Sequence, residues 1–380
     1  MDRTSSSVLR SPFGRLFAAA SAGLAVASLA APAAAQYDCS SPDPTQWPPA
    51  SKPYFMLAFD TSGSMADTVI QGGSPLQDSC GFGTNRLAHG RCAVRNTVLA
   101  FSGQVNLGLA TFAVSIGNCS TSSACNCTGS GCFTNCLYDC FDGEYNSRPS
   151  CTGCGSIGSN PTTASGAFIR VPMLQDSFWT TPPASNVTAL LNWANNQCNA
   201  GQELFAVGNT PLNGMLRDMS RYFAGTWRRP DNNQLLASPL ATQDLTGPGV
   251  NGGTGCRSVN VILMTDGDET CDTHQDAVNA ATALYQTGVT VGGKNFKIRT
   301  HVINFAGASP ADANAIAAAG GTMASKYAAN EVELSQALAN IIAGATSPEV
   351  CDNTDNNCNG CVDEGYQHYC NVKPAGQCCV

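Results

Sequence analysis

Short apolar runs alternate along the chain with stretches that have helical periodicity. The apolar runs lie at 55–59, 105–114, 167–173 and 259–264, a further strand is predicted at 297–305, and 323–327 is a small edge-strand candidate. Helical patterns lie between them at 86–101, 184–196, 212–223, 274–287 and 310–319, and a last amphipathic stretch covers 331–345. Strands that alternate with helices predict an α/β fold with a doubly wound, mostly parallel sheet and right-handed crossovers.

Capping residues and glycines support the predicted helix boundaries. Thr273 followed by Asp276 is a capping-box pattern, and Gly288 is a helix-ending residue. Ser309-Pro310 predicts the start of the short Ala-rich helix, which then ends at a glycine pair. The segment 227–256 is rich in Gly, Pro and Asn, and it predicts a long surface loop.

Two of the buried strands end directly on a carboxylate. The first runs into Asp60-Thr-Ser62-Gly-Ser64, and the fourth runs into Thr-Asp266-Gly. Such oxygens suit Mg²⁺ or Ca²⁺ better than zinc or copper, although a polar turn that binds nothing has the same composition. In a sheet of strand order 3-2-1-4-5-6, these two strands are neighbours at the switch point where ligands bind.

The N-terminal segment predicts export. Residues 1–35 contain Arg3, Arg10 and Arg15, then a small-residue apolar stretch and an Ala-x-Ala cleavage pattern. No later segment is apolar enough to span a membrane, so we expect a secreted, periplasmic or cell-surface protein. Loss of three Arg and one Asp changes the net charge from −8 to −10, which argues against nucleic-acid binding. Residues 36–52 form a lead-in linker.

Cysteine usage agrees with export. The chain has 20 cysteines and only four histidines, which favours disulfides over zinc sites. Eight cysteines fall between 119 and 154, within a predicted Cys-rich insertion at 117–160. That segment has few large aliphatic residues and must be held by cross-links. Cys151 and Cys154 have redox-motif spacing, but without a strand-to-helix context we favour structural cystines.

With these features, the chain resembles a von Willebrand factor A domain over residues 53–345. The family's metal-ion-dependent adhesion site consists of an Asp-x-Ser-x-Ser loop, a Thr on a second loop and an Asp on a third. Asp60, Ser62 and Ser64 match the first of these parts and Asp266 matches the last, and Thr210 in Gly-Asn-Thr-Pro-Leu matches the remaining loop, with Asn209 as a departure.

The resemblance implies a chemistry for this site. The hydroxyls would coordinate Mg²⁺, or Ca²⁺ or Mn²⁺, while the carboxylates would act largely through water. A cation held mostly by neutral ligands stays electrophilic and accepts an exposed Asp or Glu of a protein partner. Asp268 and Glu269, beside the site, would either repel such a ligand or be solvated loop charges.

The resemblance also implies a map of the loops. The third strand would be antiparallel at the sheet edge, and the Cys-rich insertion would project from the metal-bearing face. The long loop 227–256 would lie on the opposite face. On this map, Cys39 would pair with Cys256, and Cys198 with Cys271.

Residues 346–380 form a small Cys-rich module that is a candidate for a second metal site. Asp355, Asn357, Asn359 and Asp363 follow the first nine positions of a calcium loop, but Tyr366 stands where an EF-hand has Glu. The stretch resembles a short Cys-, Asp- and Gly-rich metal-binding motif of exported bacterial surface proteins. Calcium binding and a purely structural cystine tail are equal alternatives here.

Taken together, the sequence predicts an exported, metal-dependent binding module rather than an enzyme. It contains no Gly-x-Ser-x-Gly and no His-Glu-x-x-His. Two alternatives stay open: a metal-assisted hydrolase, and a structural surface protein whose metals and disulfides serve only stability.

Overall fold

A six-stranded sheet forms the centre of the structure, which is a computed structural model. Its strands are β1 (Tyr54–Phe59), β2 (Asn106–Phe112), β3 (Ala167–Val171), β4 (Val259–Thr265), β5 (Ile298–Phe305) and β6 (Lys326–Ala328). The spatial order is β3-β2-β1-β4-β5-β6. All neighbours are parallel except β3, which is antiparallel to β2. The predicted fold class, strand order and antiparallel edge strand are confirmed.

The structure describes part of the chain. The described residues are 38–41, 43–47, 50, 52–112, 166–174, 186–197, 202–204, 206, 209–229, 234–240, 257–345, 348, 350–351, 355–359 and 361–366, with the backbone of 114–119 and 136–140. Most of the predicted Cys-rich insertion, and the whole predicted signal peptide, therefore lie outside the described residues.

Within the described residues, six α-helices cover the two faces of the sheet. They are α1 (Arg86–Ala100), α2 (Val187–Trp193), α3 (Leu212–Phe223), α4 (His274–Thr282), α5 (Pro310–Ala319) and α6 (Glu331–Ala343). Helices α3, α4 and α5 share one apolar cluster with the sheet, and α1, α2 and α6 share the other. The sheet is therefore wound on both sides.

Strand β1 shows why its sequence is continuously apolar. All six of its residues are buried, because helices cover both faces of the sheet. Met56 and Ala58 belong to the cluster with α3, whereas Phe55 and Leu57 belong to the cluster with α1. The alternation of side chains along a strand thus supplies both cores from one run of residues.

The caps that the sequence predicts are present. Thr273 and Asp276 form a reciprocal capping box at the start of α4. The Ser309 side chain accepts the Asp312 backbone N–H at the start of α5. Helix α4 continues into a π-helical turn, Ala283–Thr287, and Gly288 ends it with φ 75°.

The loop after α3 differs from its prediction. We expected 227–256 to be a surface loop, but Trp227 and Leu240 are buried and join the core cluster of α3. The Trp227 ring makes an edge contact with Phe168, the second residue of β3. Although this segment is rich in Gly and Asn, its two buried apolar side chains pack its described part, 227–229 and 234–240, against the core.

Three two-stranded hairpins lie outside the main sheet in the part of the chain that the structure describes. They pair Ile70–Gln71 with Ser74–Pro75, Val114–Cys119 with Cys136–Cys140, and Val289–Val291 with Lys294–Phe296. The second of these hairpins begins two residues after β2, within the predicted hairpin between strands two and three.

A disulfide joins the two ends of the described chain. Cys39 pairs with Cys361, across a sequence separation of 322 residues. The predicted Cys39–Cys256 pair is therefore wrong, since it assumed that the tail was a separate module without a bond to the lead-in. Trp47 and Gly365 also meet, because a Cβ on Gly365 would lie 3.1 Å from the Trp47 ring. Cys271 is disulfide-bonded, but Cys198 lies outside the described residues, so that predicted pair stays a prediction.

Candidate metal site

Three loops meet at the carboxyl ends of β1 and β4. These strands are adjacent and in register, with Phe59 opposite Met264, so Asp60 and Asp266 leave the sheet side by side. The Asp60 N–H donates to the Met264 carbonyl at 2.9 Å. Thr210 lies on the third loop, just before α3. The central position of β1 in the sheet therefore places the Asp-x-Ser-x-Ser loop beside the Thr-Asp-Gly loop.

The two serine hydroxyls and one carboxylate oxygen form a tight cluster. Ser62 Oγ and Ser64 Oγ are 3.0 Å apart. Ser64 Oγ donates to Asp266 Oδ1 at 2.8 Å, and Ser62 Oγ lies 3.4 Å from the same oxygen. Three of the predicted ligand residues thus present oxygens to one another across a sequence separation of more than 200 residues.

Asp60 is a buried anchor behind this cluster. Its Oδ1 accepts the Ser62 N–H at 2.7 Å, and its Oδ2 accepts the Thr265 hydroxyl at 2.7 Å. Burial, with a further contribution from the Asp266 charge, raises the pKa of Asp60 to about 7. The Asp60 carboxylate therefore holds the turn in place and adds negative charge where water cannot offset it.

Thr210 is tied to the same edge by a reciprocal pair of hydrogen bonds. Its backbone N–H donates to Thr270 Oγ1 at 2.8 Å, and the Thr270 N–H donates to the Thr210 carbonyl at 3.2 Å. A Cβ on Gly267 would lie 3.3 Å from Thr210 Oγ1 and 3.8 Å from Ser64 Oγ. Glycine at this position therefore leaves space between the two hydroxyls.

The donor set fits a hard divalent cation. Asp60, Ser62, Ser64, Thr210 and Asp266 supply only carboxylate and hydroxyl oxygens, and Gly267 keeps the space beside two of them open. Such oxygens match Mg²⁺, Ca²⁺ or Mn²⁺ and are poor ligands for soft metals. The structure brings all five predicted residues to one edge of the sheet, while the metal itself stays a prediction.

No local motif indicated that a positively charged side chain lies at this edge. Arg86, the first residue of α1, donates from Nη1 to Asp266 Oδ2 at 2.7 Å. The Asp266 side chain is fully buried, so this is a charge-assisted contact in a partly dry site. The two residues are 180 positions apart, and no local motif connects them.

Asp268 is exposed, as a solvated loop charge would be, whereas Glu269 is partly buried, and both carboxylates accept backbone N–H groups. The Asp268 carboxylate accepts the Ser309 N–H at 2.7 Å, at the cap of α5. The Glu269 carboxylate accepts the Asn213 N–H at the start of α3, and it accepts two further N–H groups of its own loop. Burial raises the pKa of Glu269. Neither of the two predicted roles, repulsion of a ligand or a solvated charge, included these contacts. The contacts fix the helices beside the site.

The tail residues form a compact turn of their own. Asp355 Oδ1 and Asn357 Oδ1 both accept the Asn359 N–H at 3.0 Å. The amides of Asn357 and Asn359 both donate to Glu364 Oε1. Glu364 is buried, and its Oε2 has no hydrogen-bond partner among the described residues. Asp363 is buried beside it with φ 54°. Hydrogen bonds therefore link three of the four predicted residues, Asp355, Asn357 and Asn359, and Glu364 joins them although it was not among the predicted ligands.

A group formed by Asp78, Cys80 and Cys92 is not a metal site in this structure. The two sulfurs form a disulfide, which leaves no thiolate to bind a metal. Asp78 accepts the backbone N–H groups of Cys80, Phe82 and Gly83. The group therefore fixes the loop that leads into α1.

Comparisons with known proteins were made for sequence and for structure. No family model matches the chain, and no curated protein matches it. Among solved structures, a von Willebrand factor type A protein from Catenulispora acidiphila is similar, with a TM-score of 0.41 and 12% identity. That match covers 80% of this chain and 44% of the other.

Two pilus proteins are similar at the same level. The pilus adhesin SpaC from Lactobacillus rhamnosus GG has a TM-score of 0.37 and 13% identity, and the match covers 78% of this chain and 31% of SpaC. The PilB minor pilin from Streptococcus sanguinis has a TM-score of 0.35 and 13% identity, with 77% and 61% covered.

At these scores, the topology rather than any single match identifies the fold. The strand order, the antiparallel edge strand and the helices on both faces are those that the resemblance predicted. The chain has the doubly wound fold, with the strand order and antiparallel edge strand, that the resemblance to von Willebrand factor A domains predicted.

Proposed function

We propose that this chain is an exported, metal-dependent protein-binding module. Asp60, Ser62, Ser64, Thr210 and Asp266 hold a divalent cation, Mg²⁺ or else Ca²⁺ or Mn²⁺, which accepts the carboxylate of a partner protein. One observation carries the proposal. The Ser62 and Ser64 hydroxyls converge on Asp266 Oδ1 beside a second buried carboxylate, that of Asp60.

Electrostatics supports a cation at this position. Asp60 and Asp266 are both nearly inaccessible to water, and the Asp266 charge disfavours ionisation of Asp60. Burial first, and then the Asp266 charge, raise the pKa of Asp60 to about 7. A divalent ion would compensate both carboxylates, so metal binding and loss of the Asp60 proton favour each other.

The donor set also indicates what the cation would bind. Neutral hydroxyl ligands withdraw little positive charge from a metal, which then keeps its attraction for an anionic oxygen. A carboxylate in a partly dry site forms a stronger contact than an amide or hydroxyl, because the interaction is charge-assisted. An exposed Asp or Glu of a protein is therefore the partner group that we propose.

Disulfides support export. Cys39–Cys361 and Cys80–Cys92 are formed, and such bonds persist in oxidising compartments. None of the helices within the described residues is long and apolar enough to cross a membrane. With the signal peptide predicted at 1–35, we propose a secreted, periplasmic or cell-surface location.

The tail is proposed as a second, calcium-binding site. Asp355, Asn357, Asn359 and Asp363 would supply oxygens, and the unpartnered Glu364 Oε2 is the observation that favours this over a purely structural cystine tail. A buried carboxylate oxygen without a hydrogen bond is costly, and a bound cation would remove that cost.

Calorimetric titration with Mg²⁺, Mn²⁺ and Ca²⁺ tests the main site. Ser64→Ala removes one hydroxyl and is expected to weaken metal binding at least about tenfold, equivalent to about 1.4 kcal/mol. Ser102→Ala is the matched control, because Ser102 is exposed in the turn after α1. Equal affinity of the two variants would contradict the assignment of Ser64 as a ligand.

Partner capture separates binding from the two alternatives. The wild-type protein, immobilised in Mg²⁺, is expected to retain a partner that chelator releases and that Ser64→Ala does not retain. Metal binding that changes stability without any capture would favour the structural alternative. Metal-dependent turnover of a phosphoester or carboxylic ester, lost in Ser64→Ala, would favour the hydrolase instead.

A further inference from the structure

We propose that Arg86 is a built-in counter-ion of the candidate metal site, which weakens metal binding and gives the loaded site a net positive charge that selects an anionic partner. The inference rests on the proposed function and concerns the regulation of that same site. It is carried by the ion pair between Arg86 and Asp266.

The ion pair is placed by the start of a helix. Asn85 caps α1 by accepting the Ala88 N–H, so Arg86 is the first residue of α1, and its own N–H donates to the Asp67 carbonyl. From there its Nη1 reaches Asp266 Oδ2 at 2.7 Å and lies 3.6 Å from Asp67 Oδ2. The Asp67 side chain is 66% exposed and the Asp266 side chain is 0% exposed. Solvent screens the Asp67 charge, so Asp266 is the dominant partner.

The two oxygens of Asp266 have different tasks. Oδ1 receives the serine hydroxyls, whereas Oδ2 receives the guanidinium of Arg86. Arg86 therefore fixes the orientation of the carboxylate without taking the oxygen that faces Ser62 and Ser64. A cation can bind on the Oδ1 side while the Arg86 pair stays intact.

Space for the guanidinium is kept by a glycine on the loop after β5. A Cβ on Gly307 would lie 3.2 Å from Arg86 Nη1 and 2.5 Å from the Asp266 carbonyl. The loop therefore packs against Arg86 and Asp266 closely enough to restrict their conformations. This packing makes the ion pair a defined part of the site rather than one of several conformations of a surface arginine.

The charges of the site follow directly. With both carboxylates ionised, Asp60 and Asp266 contribute two negative charges, and Arg86 reduces the total to one. A divalent cation then leaves one net positive charge, whereas the same site without Arg86 would be neutral. Arg86 therefore opposes metal entry, and once the metal is bound it adds to the attraction for an anionic group.

Calorimetry on three variants tests this inference. Arg86→Gln removes the charge, Arg86→Lys keeps it, and Arg95→Gln removes an arginine from the same helix away from the site. A unit charge about 6 Å from a divalent ion changes binding about tenfold even at the dielectric constant of water. We expect Arg86→Gln to bind Mn²⁺ about tenfold more tightly than wild type, and the other two variants to match wild type.

Binding of an anionic partner group should change in the opposite direction to metal binding. In saturating Mn²⁺, a peptide with one glutamate should bind Arg86→Gln more weakly than wild type, and the glutamine version of the peptide should not distinguish them. If wild type binds Mn²⁺ and Arg86→Gln binds it equally well or more weakly, the proposed role of Arg86 is overturned. The proposed function is not affected by that result. Absence of Mn²⁺ binding in wild type and in Arg86→Gln would overturn the proposed function and this inference with it.

Discussion

Asp60→Asn measures how much one buried, ionised carboxylate lowers the free energy of unfolding of the metal-free protein. The pKa of Asp60 is raised from its ordinary 3.8 to about 7, with burial as the main cause and the Asp266 charge as the second. Because the raised pKa belongs to the folded protein, the fold binds the proton more tightly than the unfolded chain does. Stability is therefore highest below the unfolded pKa and falls as the pH rises through the folded pKa.

The size of this loss can be worked out. A shift of about three pKa units corresponds to about 4 kcal/mol over the whole range, and about 2.5 kcal/mol of it falls between pH 5 and pH 8. Asparagine has almost the same shape and does not ionise. Its Oδ1 can still accept the Ser62 N–H, and the Thr265 hydroxyl, released from Asp60, can donate to the Gly267 carbonyl at 2.8 Å.

Urea unfolding at several pH values, in chelator, measures the effect. We expect the wild-type free energy of unfolding to fall relative to Asp60→Asn by about 2.5 kcal/mol from pH 5 to pH 8. Other titrating groups are common to both proteins and cancel in the difference. In saturating Mg²⁺, the free energy of unfolding of the wild type should change with pH in the same way as that of Asp60→Asn. A constant difference between the two proteins in chelator across this pH range would refute the reasoning.

Three further predictions concern the rest of the fold. Replacing Cys39 and Cys361 together by serine should lower the free energy of unfolding by about 2–4 kcal/mol, measured in urea, and peptide mapping of the oxidised wild type should link these two residues. Glu364→Gln should abolish the rise in melting temperature that Ca²⁺ causes in wild type, while the calcium-free protein keeps its stability; an undiminished Ca²⁺ effect would contradict the tail site. Gly166→Ala should cost about 3 kcal/mol or more in urea, because its Cβ would lie 2.2 Å from the Gly214 carbonyl carbon; a loss below about 1 kcal/mol would show that α3 can move away.

Much of the fold follows from periodicity alone. The strand at 54–59 is continuously apolar because both faces are covered, and the same holds for β4, so the pattern identified the centre of the sheet. Asp60 and Asp266 then had to meet, since the carboxyl ends of adjacent parallel strands share an edge. Local capping signals, such as Thr273 with Asp276, placed helix starts to the residue.

Contacts between residues that are distant in sequence were beyond such reasoning. Arg86 is an ordinary first-turn residue of α1, and nothing near it in sequence indicates the Asp266 carboxylate. Glu269 resembles a loop charge until the Asn213 N–H at the start of α3 is placed beside it. Trp227 shows the same limit, because its burial depends on where α3 and β3 come together.

The Cys39–Cys361 bond has a mechanical consequence. Tension applied between the segment before Cys39 and the segment after Cys361 passes through one covalent bond and bypasses the six-stranded sheet between them. Pulling on the two ends therefore extends only those flanking segments, and the hydrogen bonds of the sheet carry no load. A partner held at the Asp60 edge would instead load the sheet between that edge and the disulfide, so resistance to force depends on whether the pull comes through the chain ends or through the bound partner.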